Sequence, residues 1–249
     1  PMLGPDAFHD PFEVLGGRSD PREPSVAATL LSRRYSPLHE GKTFHQFDDR
    51  FETVRYVVWL PALADRPRWY RLACFYRAAY REVARSTDER TGIFVMIPPP
   101  CVSARNAASE IEPFDRPNSL ALAFVASGNS FVFDFLLRQR AGAHVTLFLV
   151  EAVPFPSSLS NELRRMLFVH SALRLTCNHA GYAPLWHEQV GDAWREPSPP
   201  FTWPVLEGDD ARWAVRAAID AVVADAYGLS RSQYAHVLST FSHKSYPKA

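Results

Sequence analysis

The sequence predicts a mixed α/β fold, with a sheet-containing core over residues 36–156 and a mainly helical C-terminal subdomain over residues 157–249. Three observations predict it. Before Pro100, β-branched and aromatic residues concentrate in short runs, each closed by proline or a turn. After Leu120, apolar stretches of helical length replace them. Beyond Ser160 the pattern is helical almost throughout and is broken by one proline-rich connector.

Residues 1–35 carry Pro5, Pro11, Gly16, Gly17, Pro21 and Pro24 with little periodicity, the composition of a linker or of the tail of a preceding domain. Residues 53–60 hold Val54, Tyr56, Val57, Val58 and Trp59 and read as a strand stopped by Pro61. Further on, Arg77, Arg81 and Arg85 fit either one helical stripe at i, i+4, i+8 or alternation along a strand. The turn-like Ser86-Thr87-Asp88-Glu89 and the apolar residues 91–97, closed by Pro98-Pro99-Pro100, favour a strand there, paired with the next as a hairpin. Residues 120–126 and 131–140 suit buried helices, with Asn129 or Ser130 able to cap the second. Residues 145–150 read as a buried strand ahead of Pro154-Phe155-Pro156. A helix is expected over residues 160–175, with Leu163, Leu167, Val169 and Leu173 facing inward. After a second linker at residues 197–204, another covers 211–227 and ends at Gly228; a shorter one runs to Leu238 from a Ser230 cap.

With 249 residues the chain can bury a full core without staples. Cys74, Cys101 and Cys177 are odd in number and lack C-x-x-C spacing, which suggests neither a disulfide framework nor a zinc site and fits a reducing cytoplasm. No apolar run reaches the roughly 20 residues of a membrane span, and the start lacks a signal pattern. The 27 basic and 27 acidic residues cancel, which argues against a general nucleic-acid coat and leaves room for a local basic surface. Arg66, Arg68, Arg71, Arg77, Arg81, Arg85 and Arg90 form such a window, opposed within it only by Glu82, Asp88 and Glu89.

The run Glu40-Gly41-Lys42-Thr43-Phe44-His45-Gln46-Phe47-Asp48-Asp49-Arg50-Phe51 crowds donors, acceptors and aromatics without apolar period. On a loop held by Phe44, Phe47 and Phe51, the residues Lys42, His45, Gln46, Asp48 and Arg50 are candidates for a working surface. Gln46 can pair bidentately with adenine, and Arg50 or Lys42 with guanine. The same groups equally suit phosphates or an internal lock, Asp48 with Arg50 above all. Glu40-Gly41-Lys42 with Asp20 also matches half of a metal-dependent nuclease site, but no apolar strand carries it and a surface loop is the simpler reading. His39, His45 and His144 lack metal spacing, and Cys177-Asn178-His179 alone makes no site.

This run resembles the "EGK…HQFDHRF" segment of adenine-specific DNA methyltransferases from restriction-modification, BREX and DISARM phage-defence systems. Residues 80–91, from Tyr80-Arg81-Glu82 to Glu89-Arg90-Thr91, are similar to that family's "FRDIARATNERT". Asn129-Ser130-Phe131-Val132-Phe133-Asp134-Phe135 with Arg138-Gln139 resembles "NSFVFDYLARQ". Gly142-Ala143-His144 and the stretch to Val153-Pro154-Phe155-Pro156 resemble "GTHLNFFILKQLPVPP", and residues 219–241 resemble "LDALYAHLYGLSRDDLRYILDTF". The likeness runs in order from Ser36 to Phe241; Asp49 stands where a histidine is usual, Asp88 for asparagine, Thr146 for asparagine, and Ser232-Gln233 for an acidic pair.

The resemblance implies a mixed-sheet DNA target-recognition domain that holds duplex DNA for methylation of a chosen adenine. Phosphate contacts would fall to Arg81, Arg85, Arg90, Arg138 and Arg140, with Asn129, Gln139 and His144 as further contacts. Methyl transfer needs a glycine-rich turn for S-adenosylmethionine and an Asn-Pro-Pro-aromatic type of loop. Ser198-Pro199-Pro200-Phe201 spells the second, but its flank is no apolar strand, and the resemblance makes it a connector. The chain is therefore expected to hold no catalytic residue, metal or cofactor, with S-adenosylmethionine bound by an upstream or separate methyltransferase domain. Other partners would be further defence subunits and no membrane. The alternative is a protein-interaction subunit whose helical end, residues 211–238, docks a methyltransferase, helicase or nuclease.

Overall fold

The structure, a computed structural model, describes residues 3–156, 162–191 and 203–241. It is a mixed α/β fold built on two small sheets. In the first, β1 (Phe8–His9) and β2 (Tyr35–His39) flank β3 (Val57–Trp59) antiparallel, and β6 (Val102–Ser103) adds to β2 in parallel, Leu38 opposite Val102. The second is antiparallel: β4 (Arg77–Arg81) lies between β5 (Phe94–Ile97) and β7 (Ala107–Ser109).

The expected hairpin is present, with Arg77 opposite Ile97 and Tyr80 opposite Phe94. Period-two alternation divides its side chains. Ala78, Tyr80, Phe94 and Met96 face the large core, while Ala79, Val95 and Ile97 face a smaller one with Phe44 and Cys101. Strand geometry thus settles the arginine ambiguity: Arg77 and Arg81 share a face of β4.

The large core is closed by α4 (Asn118–Gly128), α5 (Phe131–Arg138), α7 (Glu162–Thr176) and α9 (Asp209–Ala226). Gly128 ends α4 against the Phe94 ring, where an added Cβ would lie 2.6 Å from a ring carbon. Ser130 caps α5 by accepting from Phe133 N, as expected. Asn129 does not cap; its side chain pairs with Phe94, accepting from the N–H at 2.9 Å and donating to the C=O at 2.8 Å, as a neighbouring strand would. Ser230 opens α10 (Arg231–Ser239) with a reciprocal capping box to Gln233, and Gly228, at φ 68°, follows α9. Among the described residues no single helix is long and apolar enough to cross a membrane.

Several sequence expectations change. The expected linker carries β1, α1 (Pro11–Leu15) and α2 (Pro24–Ser32), and Arg22 is buried there because its fork finds backbone carbonyls. The strand expected at residues 53–60 shrinks to β3. Residues 145–150 do not form a strand: only Val145 touches the sheet, its N–H on Glu82 O at 2.7 Å, and α6 (Leu147–Glu151) follows with Leu147 and Phe148 exposed. Residues 147–151 turn helical instead, which seats Val150 in the large core. In α7 the inward residues are Phe168, Ala172, Leu173 and Leu175; Leu167 is exposed, one position off the buried stripe. Ser160, the Leu163 side chain and residues 197–202 of the second linker lie outside the described residues.

Candidate functional site

Residues 40–51 leave β2 and fold into a pinned loop. At its tip His45 N donates to Asp48 O at 2.8 Å and Asp48 N to His45 O at 3.1 Å, with Gln46 and Phe47 at the corner. Phe47 takes φ 61°, a left-handed conformation that costs a bulky residue on the order of 1–3 kcal/mol. Its surroundings over-determine it. The ring is buried in the large core, and its N–H reaches Phe94 O at 3.2 Å. Gln46 Nε2 donates to Gly92 O at 2.8 Å, and Gln46 Oε1 accepts from Arg216 on α9 at 2.6 Å.

Two arginines, Arg22 and Arg81, gather the loop's carbonyls, and a third, Arg50, ties the loop back to residues 22 and 23. Arg22, tied to Asp20, donates to Thr43 O at 3.0 Å and Glu52 O at 2.8 Å. Arg50 reaches Glu23 at 2.5 Å and Arg22 O at 2.7 Å. Arg81 spans Gly41 O at 2.6 Å and Phe44 O at 2.5 Å. Gly41 is required there, because a Cβ would stand 2.6 Å from Asn106 O.

The outer side of this loop and the first turns of α9 make one basic, aromatic face. Lys42 is exposed, and the His45 ring packs on Phe51 with centroids 4.9 Å apart. Phe51 is 53% exposed and Trp213 41%. The Arg216 guanidinium lies 5.3 Å above Trp213 and 5.8 Å above Phe47. Asp48 accepts from Arg50 N at 2.9 Å and from Asn178 Nδ2 at 3.1 Å, and its charge also acts on Arg212. His45 registers the local field: burial, then Arg81 and Arg216, push its pKa down to about 4, with Arg90 adding and Glu89 opposing. A guanidinium above the exposed Trp213 ring, beside the exposed Phe51, suits a phosphodiester backbone and a stacked base.

The sequence-chosen residues divide. Lys42, His45 and Arg81 lie on this face, and Arg50 and Asp48 brace it. Gln46 is buried and both ends of its amide are engaged, so the internal-lock reading fits it and direct base pairing does not. Arg90 and Asn129 are also buried, and Arg138 is held by Asp134, Asp88 O and Glu89 O, which takes all three out of reach of a phosphate. Arg85, Gln139, Arg140 and His144 are exposed; Arg140 also donates to Ala152 O at 2.8 Å. Sequence reading missed Arg212, Trp213 and Arg216. Their signal is two arginines four apart, with a tryptophan between, on a helix otherwise rich in alanine and valine.

The nuclease-like carboxylates are engaged as well, Glu40 by the fork of Arg55 and Asp20 by Arg22. No group of three His, Cys, Asp or Glu able to hold a metal occurs among the described residues, and Ser198-Pro199-Pro200-Phe201 lies outside them. A different surface is apolar: a groove of about 810 Å³, floored by Ala78, Tyr80, Ala108 and Phe133 and edged by Leu120 and Leu147. Compared with protein-family models, characterised proteins and solved structures, the chain matches none.

Proposed function

We propose that the chain is the DNA-binding, target-recognition part of a site-specific adenine DNA methyltransferase in a bacterial restriction or phage-defence system, acting in the cytoplasm. Methyl-donor binding and catalysis would belong to an upstream or separate domain. Beyond the motif resemblance, the observation that carries the reading is the face formed by Lys42, His45 and Phe51, on a loop held in a costly conformation, with Arg81 of β4 and Trp213 and Arg216 of α9. In this reading Lys42, Arg81 and Arg212 meet phosphates, while Phe51 and Trp213 offer stacking surfaces. Titration of labelled duplex DNA between 50 and 200 mM salt tests it, those concentrations being the range over which phosphate contacts show. The double variant Lys42→Ala/Arg212→Ala is expected to flatten the salt slope by about 1.8, roughly 0.9 for each phosphate no longer neutralised. An unchanged slope, or no binding by the intact chain, removes the proposal.

A second reading, a protein-interaction subunit, is favoured by the apolar groove, since large exposed apolar surfaces mark docking sites. α9 buries Val215, Ile219 and Val223 in the core, so the helical end offers less apolar surface than the groove does. Capture of a methyltransferase domain in the absence of DNA, abolished by Leu147→Asp, is the expected result of this reading.

A further inference from the structure

Beneath the loop lies a buried polar group that the DNA reading does not use. His39 is 1% exposed and Asp49 is fully buried. His39 Nδ1 lies 2.8 Å from Thr43 Oγ1. That hydroxyl has one proton, which it gives to Glu40 O at 2.8 Å, so it must accept from the imidazole. Nδ1 therefore carries the ring proton. Burial keeps the ring neutral, its pKa pushed down to about 3, and Nε2 is left as a bare acceptor.

Asp49 presents a second acceptor. Its Oδ1 pairs with His179 Nε2 at 3.0 Å; His179 Nδ1 accepts from Gly181 N at 3.1 Å, which fixes Nε2–H as the donor to Asp49. Asp49 Oδ2 and His39 Nε2 both lack a donor, the Tyr182 hydroxyl beside Asp49 giving its proton to Met96 O at 2.6 Å, and both residues line one small cavity of about 20 Å³. A water needs about 10–15 Å³ of such space and two to four polar partners.

We infer that one buried water bridges His39 Nε2 and Asp49 Oδ2, donating a hydrogen bond to each. Two acceptors cannot bond to one another without a shared proton, and water is a neutral species of this size that donates twice. A cation is disfavoured because the Arg22 side chain lines the same space. Cys101 also lines it, but burial pushes its thiol up to about 12, and as a thiol it donates to Pro37 O at 3.4 Å and supplies no thiolate ligand. The water joins the end of β2 to the residue that follows the loop tip, so it acts as a strut for the exposed face while standing independently of what that face binds.

A high-resolution crystal structure of the chain tests this, together with long-range ¹⁵N–¹H spectra that report the His39 tautomer. Expected are a single density peak within hydrogen-bond distance of both atoms, without anomalous signal, and a neutral His39 protonated on Nδ1. A dry cavity, an anomalous peak, or a His39 protonated on Nε2 and touching Asp49 directly overturns it. His39→Phe removes the Nε2 acceptor together with the Nδ1–H donor to Thr43, and is expected to speed amide exchange in residues 43–49 at least about tenfold, the population shift of a 1.4 kcal/mol change. Unchanged exchange would remove the strut. Should that variant fail to fold, the tautomer in the unaltered protein still decides.

Discussion

The knot around Asp134 and the face around His45 are built from the same residue types, a few side chains apart, yet they use arginine in opposite ways. In the knot, fully buried Asp134 receives Arg90 at 2.6 Å, Arg138 at 3.4 Å and the N–H groups of Thr91 and Gly92. Arg90 also stacks 4.3 Å above Phe131, and Arg138 4.2 Å above Phe241. One carboxylate offsets part of the charge of two guanidiniums there, and both become structural parts. At the face, Arg81 donates to two carbonyls and Arg216 to an amide oxygen. Neutral acceptors fix a guanidinium in place without cancelling its charge. At these two sites the carboxylate at the buried end of the fork separates scaffold from surface, whereas Arg77 is buried on neutral acceptors alone, Cys101 O and Ser109 Oγ.

The largest expected effect breaks the knot. Arg90→Ala strands Asp134 in the core with only the weaker Arg138 contact and the two N–H donors, and it should cost ~3–5 kcal/mol of unfolding free energy in urea titration. Arg90→Lys should recover part of this, since it restores the charge but not the fork that also reaches Asn129 O at 2.6 Å. A loss of under about 1 kcal/mol, the size expected of an exposed pair, would deny that the knot is structural.

This contrast also marks what could be read from the residues alone. The β4–β5 hairpin, α4, α5, α9 and the Ser230 cap follow from periodicity and turn chemistry, which are local. Whether Arg81 or Arg90 faces outward is decided by Asp134, 44 positions from Arg90 in sequence, and by α9, 170 positions from Gln46. Local pattern carries no information of that range. The same limit turned residues 145–150 into an expected strand, because their composition suits one, while the helix they form seats Val150 in a core gathered from distant segments. The polar run at residues 40–51 was legible as unusual, but its division into lock and surface was not.

Acid should expose the next difference. His39 and His45 are held neutral, with pKa values near 3 and 4 against 6.5 for an unhindered ring, so between about pH 6 and 4 each binds a proton only on unfolding. Their contribution is present above 6.5 and lost as pH falls; His170, also lowered by burial, acts in the same sense. Asp220, beside the knot, opposes them: burial first, then Asp134, raise its pKa to about 6, so it sheds a proton on unfolding in this window. The net uptake from His39, His45 and Asp220 is about one proton, or ~1.4 kcal/mol of stability lost per pH unit on acidification, and His170 adds to it. Asp220→Asn should steepen that toward two protons. Stability that rises on acidification from pH 6 to 5 would contradict the assignment.

On the face itself, a bound phosphate near Arg81 and Arg216 would relieve the repulsion that those arginines add to burial in depressing His45. Binding then takes up a proton, and affinity for duplex DNA should strengthen as pH falls toward about 4, the pKa of His45 in the free protein, by at most about tenfold per unit for one proton. His45→Gln keeps a polar side chain and should flatten the profile. A profile that stays steep in the variant would place the proton elsewhere.

The smallest effect on stability belongs to Arg85, and it is the sharpest control on the comparison. Its backbone closes the hairpin turn, with N on Asp88 Oδ2 at 2.8 Å and O accepting from Thr91 Oγ1 at 2.8 Å, while the side chain points to solvent. Replacement by alanine leaves those backbone bonds intact, so unfolding free energy should change by no more than about 0.5 kcal/mol. Arg90→Ala, five residues away, should cost several times that. DNA reverses the ranking. If Arg85 meets a phosphate, its removal weakens binding equally on all sequences and lowers the salt slope by ~0.9. An unchanged slope confines the binding surface to the loop and α9, because the hairpin turn would then carry charge without touching the duplex.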